Sequence, residues 1–556
     1  MEGTFIINDS SNSFVTNVVP ELNITAIDYY DLRTDKDFSI YIRTIFASNN
    51  IRKLIIPVSL GQSGNNHLGL KLGIHIRVSL ESSIDPLIPI VFVSNKSLET
   101  LLIEPNDKYG LLTVTTGCAL VPEDVQELRA QITALERITP EKLVPDVLDN
   151  LIIDKPLATG PHSLANEWGV IRLDQITQLH ALQPTDVAFQ RKDLLYFKYQ
   201  AALNKALSFR TLPGGAPSAN PSPSVPNYID ASGEHILYID DEGDKGWVTV
   251  LERLFRGAHF EAITGKGLSE GDFFTAIHRA IQSDRTLILL DLRLLPNQED
   301  IHGKLMPVTE YSGTKILQRI KTLNPGTQVI IFTASNKAWN MKELQDLGAD
   351  GYFIKESPDY LVPDHLSLYN YEAFKKQAKN SFRRVFLRNI YQAHQAAINE
   401  TAFHDQSFLT LSEAGLNTAF KLIELELLDA AYLTYFQVME RYAEICLDPA
   451  NLPTTDPTNN MLGTNLNKTR ALVIEADPTG FNYCEIRAAT ANVSVTKALS
   501  MLSFVMAFKF RKDNAYLKHI GMQVTKRNNI AHDGSGGATI QDCFELVDII
   551  KMFRSS

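Results

Sequence analysis

HILYIDDE (235–242), TLILLD (286–291), QVIIFTAS (328–335) and DGYFIK (350–355) decide how the middle of this chain folds. Each is a short, continuously apolar run rich in β-branched residues, as strands covered on both faces of a parallel sheet must be. Between them stand WVTVLERLF (247–255), GDFFTAIHRAIQS (271–283) and GTKILQRIKTL (313–323), whose apolar residues recur at helical spacing. Alternation of this kind predicts a doubly wound α/β fold with its ligand chemistry at the carboxyl ends of the strands. Those ends carry Asp240, Asp241 and Glu242, then Asp291, then Thr333, then Lys355. Carboxylates gathered on one edge repel unless a cation lies between them, and oxygen ligands without sulfur or imidazole point to Mg²⁺. A hydroxyl and an ammonium on neighbouring strand ends can bind the oxygens of a phosphoryl group carried by the central carboxylate. The strand-end residues alone therefore suggest phosphoaspartate chemistry.

Over about 235–358 these residues resemble the receiver domain of two-component response regulators. The resemblance implies that Asp240 and Asp241 are the acidic pair that holds Mg²⁺ and that Asp291 is the phosphoacceptor and a metal ligand. It also implies that Arg293 lends its backbone carbonyl to the metal, that Thr333 is the switch hydroxyl, and that Lys355 binds the phosphoryl group. The phosphoryl donor it implies is a histidine kinase or phosphotransfer protein. Two features depart from the pattern. The loop LLPNQEDIHGKLMPVTEY (294–311) is long, and Glu356 stands where a proline commonly follows the lysine. Phosphorylation would add a charge of about −1.5 to −2 beside Thr333 and bias a two-state surface.

Upstream, TLPGGAPSANPSPSVP (211–226) is a linker, because its Pro, Gly and Ser favour extended chain over a packed core. Before it, TFIIND (4–9), RKLIIPVSL (52–60), IPIVFVS (88–94) and YGLLTVTTG (109–117) are strand candidates, and 180–207 reads as helical. The receiver template finds Asn8-Asp9 in place of the acidic pair and Pro57-Val58 around the phosphoacceptor position. Ser94 is retained, and no lysine ends the last run. This stretch is either a receiver-like domain that has lost its chemistry or an unrelated α/β domain. Both imply partner recognition or dimer packing rather than catalysis. His162, in HSLANEWG, has a distant resemblance to phosphotransfer helices, but Ala165 and Asn166 replace their lysine and glycine. A buried or capping histidine is the expected role.

Downstream of about 364 the strand signal fades. Segments 374–400, 416–447, 495–524 and 538–553 carry apolar residues at i, i+3 and i+4, which predicts an all-helical domain. Thr539 three residues before Asp542 marks a capping-box start for the last helix. Just before it lies KRNNIAHDG (526–534). Arg527 is always charged and can stabilise a phosphorane, while His532 can move protons near neutrality. On an ideal helix the two would diverge by about 140°, so GSGG (534–537) is expected to end the helix and let His532 swing back. The segment resembles the RxxxxH motif of HEPN domains, at Arg527, Asn528 and His532, over about 400–556. That resemblance implies a homodimer and a metal-independent endoribonuclease acting on RNA, in bacterial host defence.

The chain has 556 residues, 53 Lys+Arg against 64 Asp+Glu, and a net charge of −11, so nucleic acid is not coated by its whole surface. Four cysteines without a CxxC pair make neither a disulfide framework nor a thiolate zinc site. The first residues lack a signal-peptide pattern, and ALSMLSFVMAF (498–508) is too short to span a bilayer, so a cytoplasmic, non-membrane protein is expected. The organisation predicted is a degenerate receiver-like α/β domain (1–150), a helical connector with linker (151–233), a receiver (234–360) and a helical HEPN-like effector (361–556). A phosphorelay-controlled ribonuclease is the leading reading. The alternative is a non-enzymatic adaptor or phosphate sink whose helical domain dimerises or binds partners, and a third has that domain binding nucleic acid without cutting it.

Overall fold

The computed structural model describes residues 3–10, 12–61, 66–103, 108–157, 160–210, 227–295, 307–334, 338–447, 471–487, 498–533 and 537–556. They form two compact units, Met1–Leu317 with Val329–Lys379, and Gln318–Gln328 with Asn380–Ser556.

The first unit opens with strands β1 (Thr4–Asn8), β2 (Thr25–Asp28), β3 (Lys53–Pro57), β4 (Ile90–Val93) and β5 (Cys118–Val121), all parallel in the order β2-β1-β3-β4-β5. That is the flavodoxin-like doubly wound order. Successive residues of a strand face opposite ways. Ile7, Leu54 and Ile56 therefore pack with α2 (Asp35–Ser48) and α3 (Leu68–Arg77) on one face, and Ile6, Ile55 and Val91 with α1 (Ser13–Leu22) and α5 (Val125–Ala134) on the other. This two-sided burial is why the strands read as unbroken apolar runs.

One strand was not foreseen in the sequence, and one expectation is corrected here. TAID of β2 is a largely exposed edge strand with no apolar run to announce it. YGLLTVTTG is not a strand: Lys108–Val114 is a 3₁₀ helix following α4 (Leu98–Ile103), and β5 is the next segment, CALV. The hydroxyls of Thr113 and Thr115 donate to the carbonyls of Gly110 and Leu112, which favours local turns over a ladder. Gly117, at φ +76°, then turns the chain into β5.

The connector contains α6 (Pro140–Asp146), α7 (Pro161–Thr177), α8 (Val187–Lys192) and α9 (Leu195–Arg210). The linker 211–226 lies outside the described residues, as do 296–306 of the long loop. Beyond the linker, the short β6 (Ile229–Asp230) pairs with β8 (Phe255–Arg256). The second five-stranded sheet comprises β7 (His235–Asp240), β9 (His259–Thr264), β10 (Leu287–Leu290), β11 (Gln328–Thr333) and β12 (Gly351–Ile354). Its order, β12-β11-β10-β7-β9, repeats that of the first sheet. With it run α10 (Trp247–Leu254), α11 (Glu270–Ala280), α12 (Ser312–Leu323), α13 (Ala338–Asp346) and α14 (Asp364–Arg383). A glycine marks the equivalence of the two domains. Gly69, at the start of α3, donates to Val58 O at 3.0 Å, and Gly313, at the start of α12, donates to Leu292 O at 3.0 Å. A Cβ would stand 1.9 Å from Pro57 O in the first case and 2.1 Å from Asp291 O in the second. Pro57 therefore occupies the place that Asp291 holds in the second sheet.

The second unit contains α15 (Phe386–Ile398), α16 (Gln406–Glu424), α17 (Leu428–Leu447), α18 (Ala498–Phe504), α19 (Asn514–Asn528) and α20 (Ile540–Arg554). They close on a core that includes Tyr432, Tyr435, Phe436, Tyr442, Leu517, Ile520, Leu546 and Phe553. Thr539 and Asp542 form the expected capping box. The expectation of an all-helical stretch is corrected by an antiparallel hairpin, β13 (Ala471–Ala476) with β14 (Asn482–Arg487). The turn Asp477-Pro478-Thr479-Gly480 makes it: Thr479 N donates to Asp477 Oδ1 at 2.9 Å, and Gly480 adopts φ +100°. Among the described residues no helix is long and apolar enough to cross a membrane.

Candidate functional site

Four adjacent strands of the second sheet deliver the predicted residues to one edge. Asp240 ends β7, Asp291 follows β10, Thr333 ends β11 and Lys355 follows β12, and all four are buried. Lys355 Nζ donates to Asp240 Oδ2 at 2.5 Å and to Asp291 Oδ1 at 3.1 Å, so one ammonium spans two carboxylates. The Tyr238 hydroxyl donates to Asp240 Oδ2 as well. The backbone N–H of Arg293 donates to Asp291 Oδ2 at 2.9 Å, and that of Glu242 to Asp240 Oδ1 at 2.9 Å. The main chains of Thr333 and Lys355 are joined by a 2.7 Å hydrogen bond.

The charges do not balance. Burial would push the Asp240 carboxyl up, but Lys355 beside it, helped by Tyr238, holds it below its ordinary value. Burial likewise opposes the charge on Lys355, yet Asp240 and Asp291 raise it. For Asp241 the balance is reversed: burial, then Asp240, Asp291 and Glu242, outweigh the pull of Lys355 and push its carboxyl up to about 8. Its Oδ1 is buried without a hydrogen bond. Carboxylates in excess of one ammonium, with an orphaned oxygen among them, make a donor set that fits a hard divalent cation. Among the described residues no three Asp, Glu, His or Cys groups stand ready to share one ion.

Sequence reasoning missed what covers this edge. α7 is buried along nearly its whole length from Ser163 to Asp174. The His162 side chain lies against this site: Nε2 is 3.9 Å from Asp291 Oδ2 and Nδ1 is 3.6 Å from Glu242 Oε2. Burial lowers its basicity. Asn166 Nδ2 donates to Glu242 Oε2 at 2.8 Å, and Lys245 donates to Ser163 Oγ. Arg172 reaches Glu356 at 3.5 Å, Asp364 at 2.8 Å and Ser367 at 2.9 Å. Glu356, the departure from the receiver pattern, is therefore the partner of a connector arginine 184 residues away in sequence. That departure was the available signal.

Among the described residues the strand ends of the first sheet carry no counterpart of the Asp240–Lys355–Asp291 arrangement. Asn8 Nδ2 donates to Asp28 Oδ1 at 3.0 Å, and buried Asp9 accepts the N–H of Gly61 at 2.5 Å. Pro57 and Val58 stand at the end of β3, the Ser94 hydroxyl accepts the N–H of Lys96, and β5 ends at Val121, followed by Pro122 rather than a lysine.

In the second unit Arg527 and Asn528 end α19, and His532 lies on the π-helical turn Asn529–Asp533 that continues it. A π turn winds more residues into each turn than an α-helix, so positions five apart line up more nearly. The turn ends at Asp533, directly before the glycine run expected to end the helix, of which residues 534–536 lie outside the described residues. His532 is exposed. Arg527 Nη2 lies 3.2 Å from Glu440 Oε1 of α17, and its Nη1 donates to Asn528 Oδ1 at 3.1 Å.

No curated protein matches the chain. Among solved structures it is similar to a CheY-like response regulator receiver domain protein from Methanospirillum hungatei JF-1, at 20% identity over 26% of this chain and 97% of that one, with a TM-score of 0.18. It is similar to a LuxR-family two-component response regulator from Aurantimonas sp. SI85-9A1, at 20% identity over 26% and 86%, TM-score 0.18. A response regulator from Burkholderia pseudomallei, solved with a phosphorylated aspartic acid, a calcium ion and citrate, matches at 20% identity over 35% and 92%, TM-score 0.18. The fold assignment rests on strand order, not on these likenesses. A family model described as "Inactive Receiver domain" matches residues 8–121, the first sheet with its β2-β1-β3-β4-β5 order and no strand-end lysine. The N-terminal domain is a receiver domain of the inactive kind.

Proposed function

We propose that the second sheet is a working receiver and that the chain is a phosphorelay-controlled effector. The observation that carries this reading is the shared ammonium of Lys355 between Asp240 and Asp291, beside an orphaned Asp241 oxygen. A partner histidine kinase or phosphotransfer protein donates a phosphoryl group to Asp291. Asp240, Asp241, Asp291 and the backbone carbonyl of Arg293 hold Mg²⁺, which when bound neutralises the phosphoryl oxygens. Lys355 and Thr333 take the remaining oxygens. The inactive N-terminal receiver serves packing or partner recognition.

The output we assign to the second unit is HEPN-like, metal-independent endoribonuclease activity on RNA in a homodimer, with Arg527, Asn528 and His532 as catalytic residues. Bacterial anti-phage defence is the setting such a nuclease fits. Exposure of His532 on a π turn near Arg527 supports it, since π turns recur at functional sites. A second reading is favoured by the Arg527–Glu440 pair, which gives Arg527 a structural role inside one chain. In that reading the unit only dimerises or binds partners, and the receiver is an adaptor or phosphate sink. Incubating the purified chain with total RNA, with and without acetyl phosphate and Mg²⁺, separates the two. The nuclease reading expects cleavage that His532→Ala abolishes and Asp291→Ala uncouples from phosphoryl donor. No cleavage in either state leaves the adaptor.

A further inference from the structure

We infer that α7 is an internal competitor for the phosphoryl donor: His162 Nε2 stands where the donor's own atom must stand to reach Asp291. The inference rests on Asp291 being the phosphoacceptor proposed above.

In phosphoryl transfer the attacking and leaving atoms lie in line on either side of phosphorus, with partial bonds to each. A donor histidine must therefore bring its ring nitrogen to within roughly 4 Å of an Asp291 oxygen, on the side away from Lys355. Lys355 holds Oδ1, and Oδ2 faces His162 Nε2 across 3.9 Å. The gap is also too small for the product. A phosphoryl group on Oδ2 adds two bond lengths, and its outer oxygens then need about 2.8 Å to any donor. Phosphoryl group and imidazole cannot both occupy the space.

The imidazole is held there by more than chance packing. Its Nε2 is buried and has no hydrogen bond, and its side chain is only 10% exposed. Asn166–Glu242, Ser163–Lys245 and Arg172–Glu356 pin three successive turns of the same helix to the receiver. Between them Gly169 lets the helix approach the chain at Glu356, where a Cβ would stand 3.2 Å from the Glu356 nitrogen. Docking of α7 and phosphorylation of Asp291 therefore oppose each other, and by linkage each weakens the other equally. Phosphorylation is read by release of the connector helix.

The test uses the full chain with acetyl phosphate and Mg²⁺. The O–P bond to acetate breaks, an O–P bond to Asp291 forms, and acetate leaves with the electron pair. Labelling is followed by intact mass. Wild type is expected to label at least tenfold more slowly than His162→Ala and Asn166→Ala, and Asp291→Asn not at all. Equal rates in wild type and both variants overturn the competition while leaving Asp291 as phosphoacceptor. No label in any variant overturns the phosphoacceptor reading and the competition with it. Label that survives Asp291→Asn but is lost in His162→Ala makes His162 a phosphoryl carrier, not a blocker, and also overturns it. A second measurement avoids substitution altogether. Beryllium fluoride with Mg²⁺, which imitates a phosphoryl group on a carboxylate, is expected to speed amide hydrogen exchange in 161–177 several-fold; unchanged exchange contradicts the competition.

Discussion

Lys355 serves two carboxylates at once, and Asp241 is the residue left out of that arrangement. Its carboxyl, at about 8, keeps a proton in the folded chain that the unfolded chain gives up above about pH 4. Folding therefore costs more as pH rises from 4 to 8, and most above 8. Asp241→Asn is expected to stabilise the metal-free protein at pH 8 by on the order of 3 kcal/mol. It should also abolish any rise in Tm on adding Mg²⁺; calorimetry with and without the ion checks both. In the second unit His394 is buried against the Tyr435 hydroxyl at 2.7 Å, and burial pushes its imidazole down to about 3. Between pH 6.5 and 3 the unfolded chain takes up a proton that the folded one refuses, so stability is full above 6.5 and falls by about 1.4 kcal/mol per unit below it. Urea titrations at pH 6.5 and 5 should show a loss about 2 kcal/mol smaller in His394→Gln than in wild type. At this scale the site was legible because Asp240, Asp291, Thr333 and Lys355 each directly follow an apolar run. His162 and Arg172 were not, because their meaning lies in partners across the linker.

Among the elements, the start of α12 sets how close a helix comes to Asp291, the proposed phosphoacceptor. A Cβ on Gly313 would lie 2.1 Å from Asp291 O and 2.7 Å from the Leu292 Cα, both backbone. Gly313→Ala should thus cost about 3 kcal/mol or more and slow phosphorylation of Asp291, measured as urea midpoint and labelling rate. Gly69→Ala, at the matching place beside Pro57, should cost as much stability without touching any phosphoryl chemistry. The elements that were misread share a cause. β2 is an exposed edge and carries no continuous apolar run, Thr113 and Thr115 spend their hydroxyls on local carbonyls, and the β13–β14 hairpin sits inside a helical context. Its alternating VIEA and NYCEI about DPTG was a hairpin signal outweighed by the helical periodicity on both sides.

Taken whole, the chain sets an inactive receiver domain before a second five-stranded sheet of the same strand order, which gathers Asp240, Asp291 and Lys355 at one edge, with the connector helix α7 between them in sequence and seated on the second. The net charge of −11 argued against broad contact with nucleic acid. Part of that acidity is gathered at Asp240, Asp241, Glu242 and Asp291 on one edge of the second sheet, the cation and phosphoryl site proposed above, rather than being a general surface property. Whether Asp291 accepts a phosphoryl group is read by acid-quenched intact mass of the full chain and of His162→Ala after acetyl phosphate and Mg²⁺, each with and without Asp291→Asn. One phosphoryl group, released by hydroxylamine, is expected in both chains that keep Asp291 and in neither that lacks it. A label that persists in Asp291→Asn, or none in His162→Ala, would contradict that expectation.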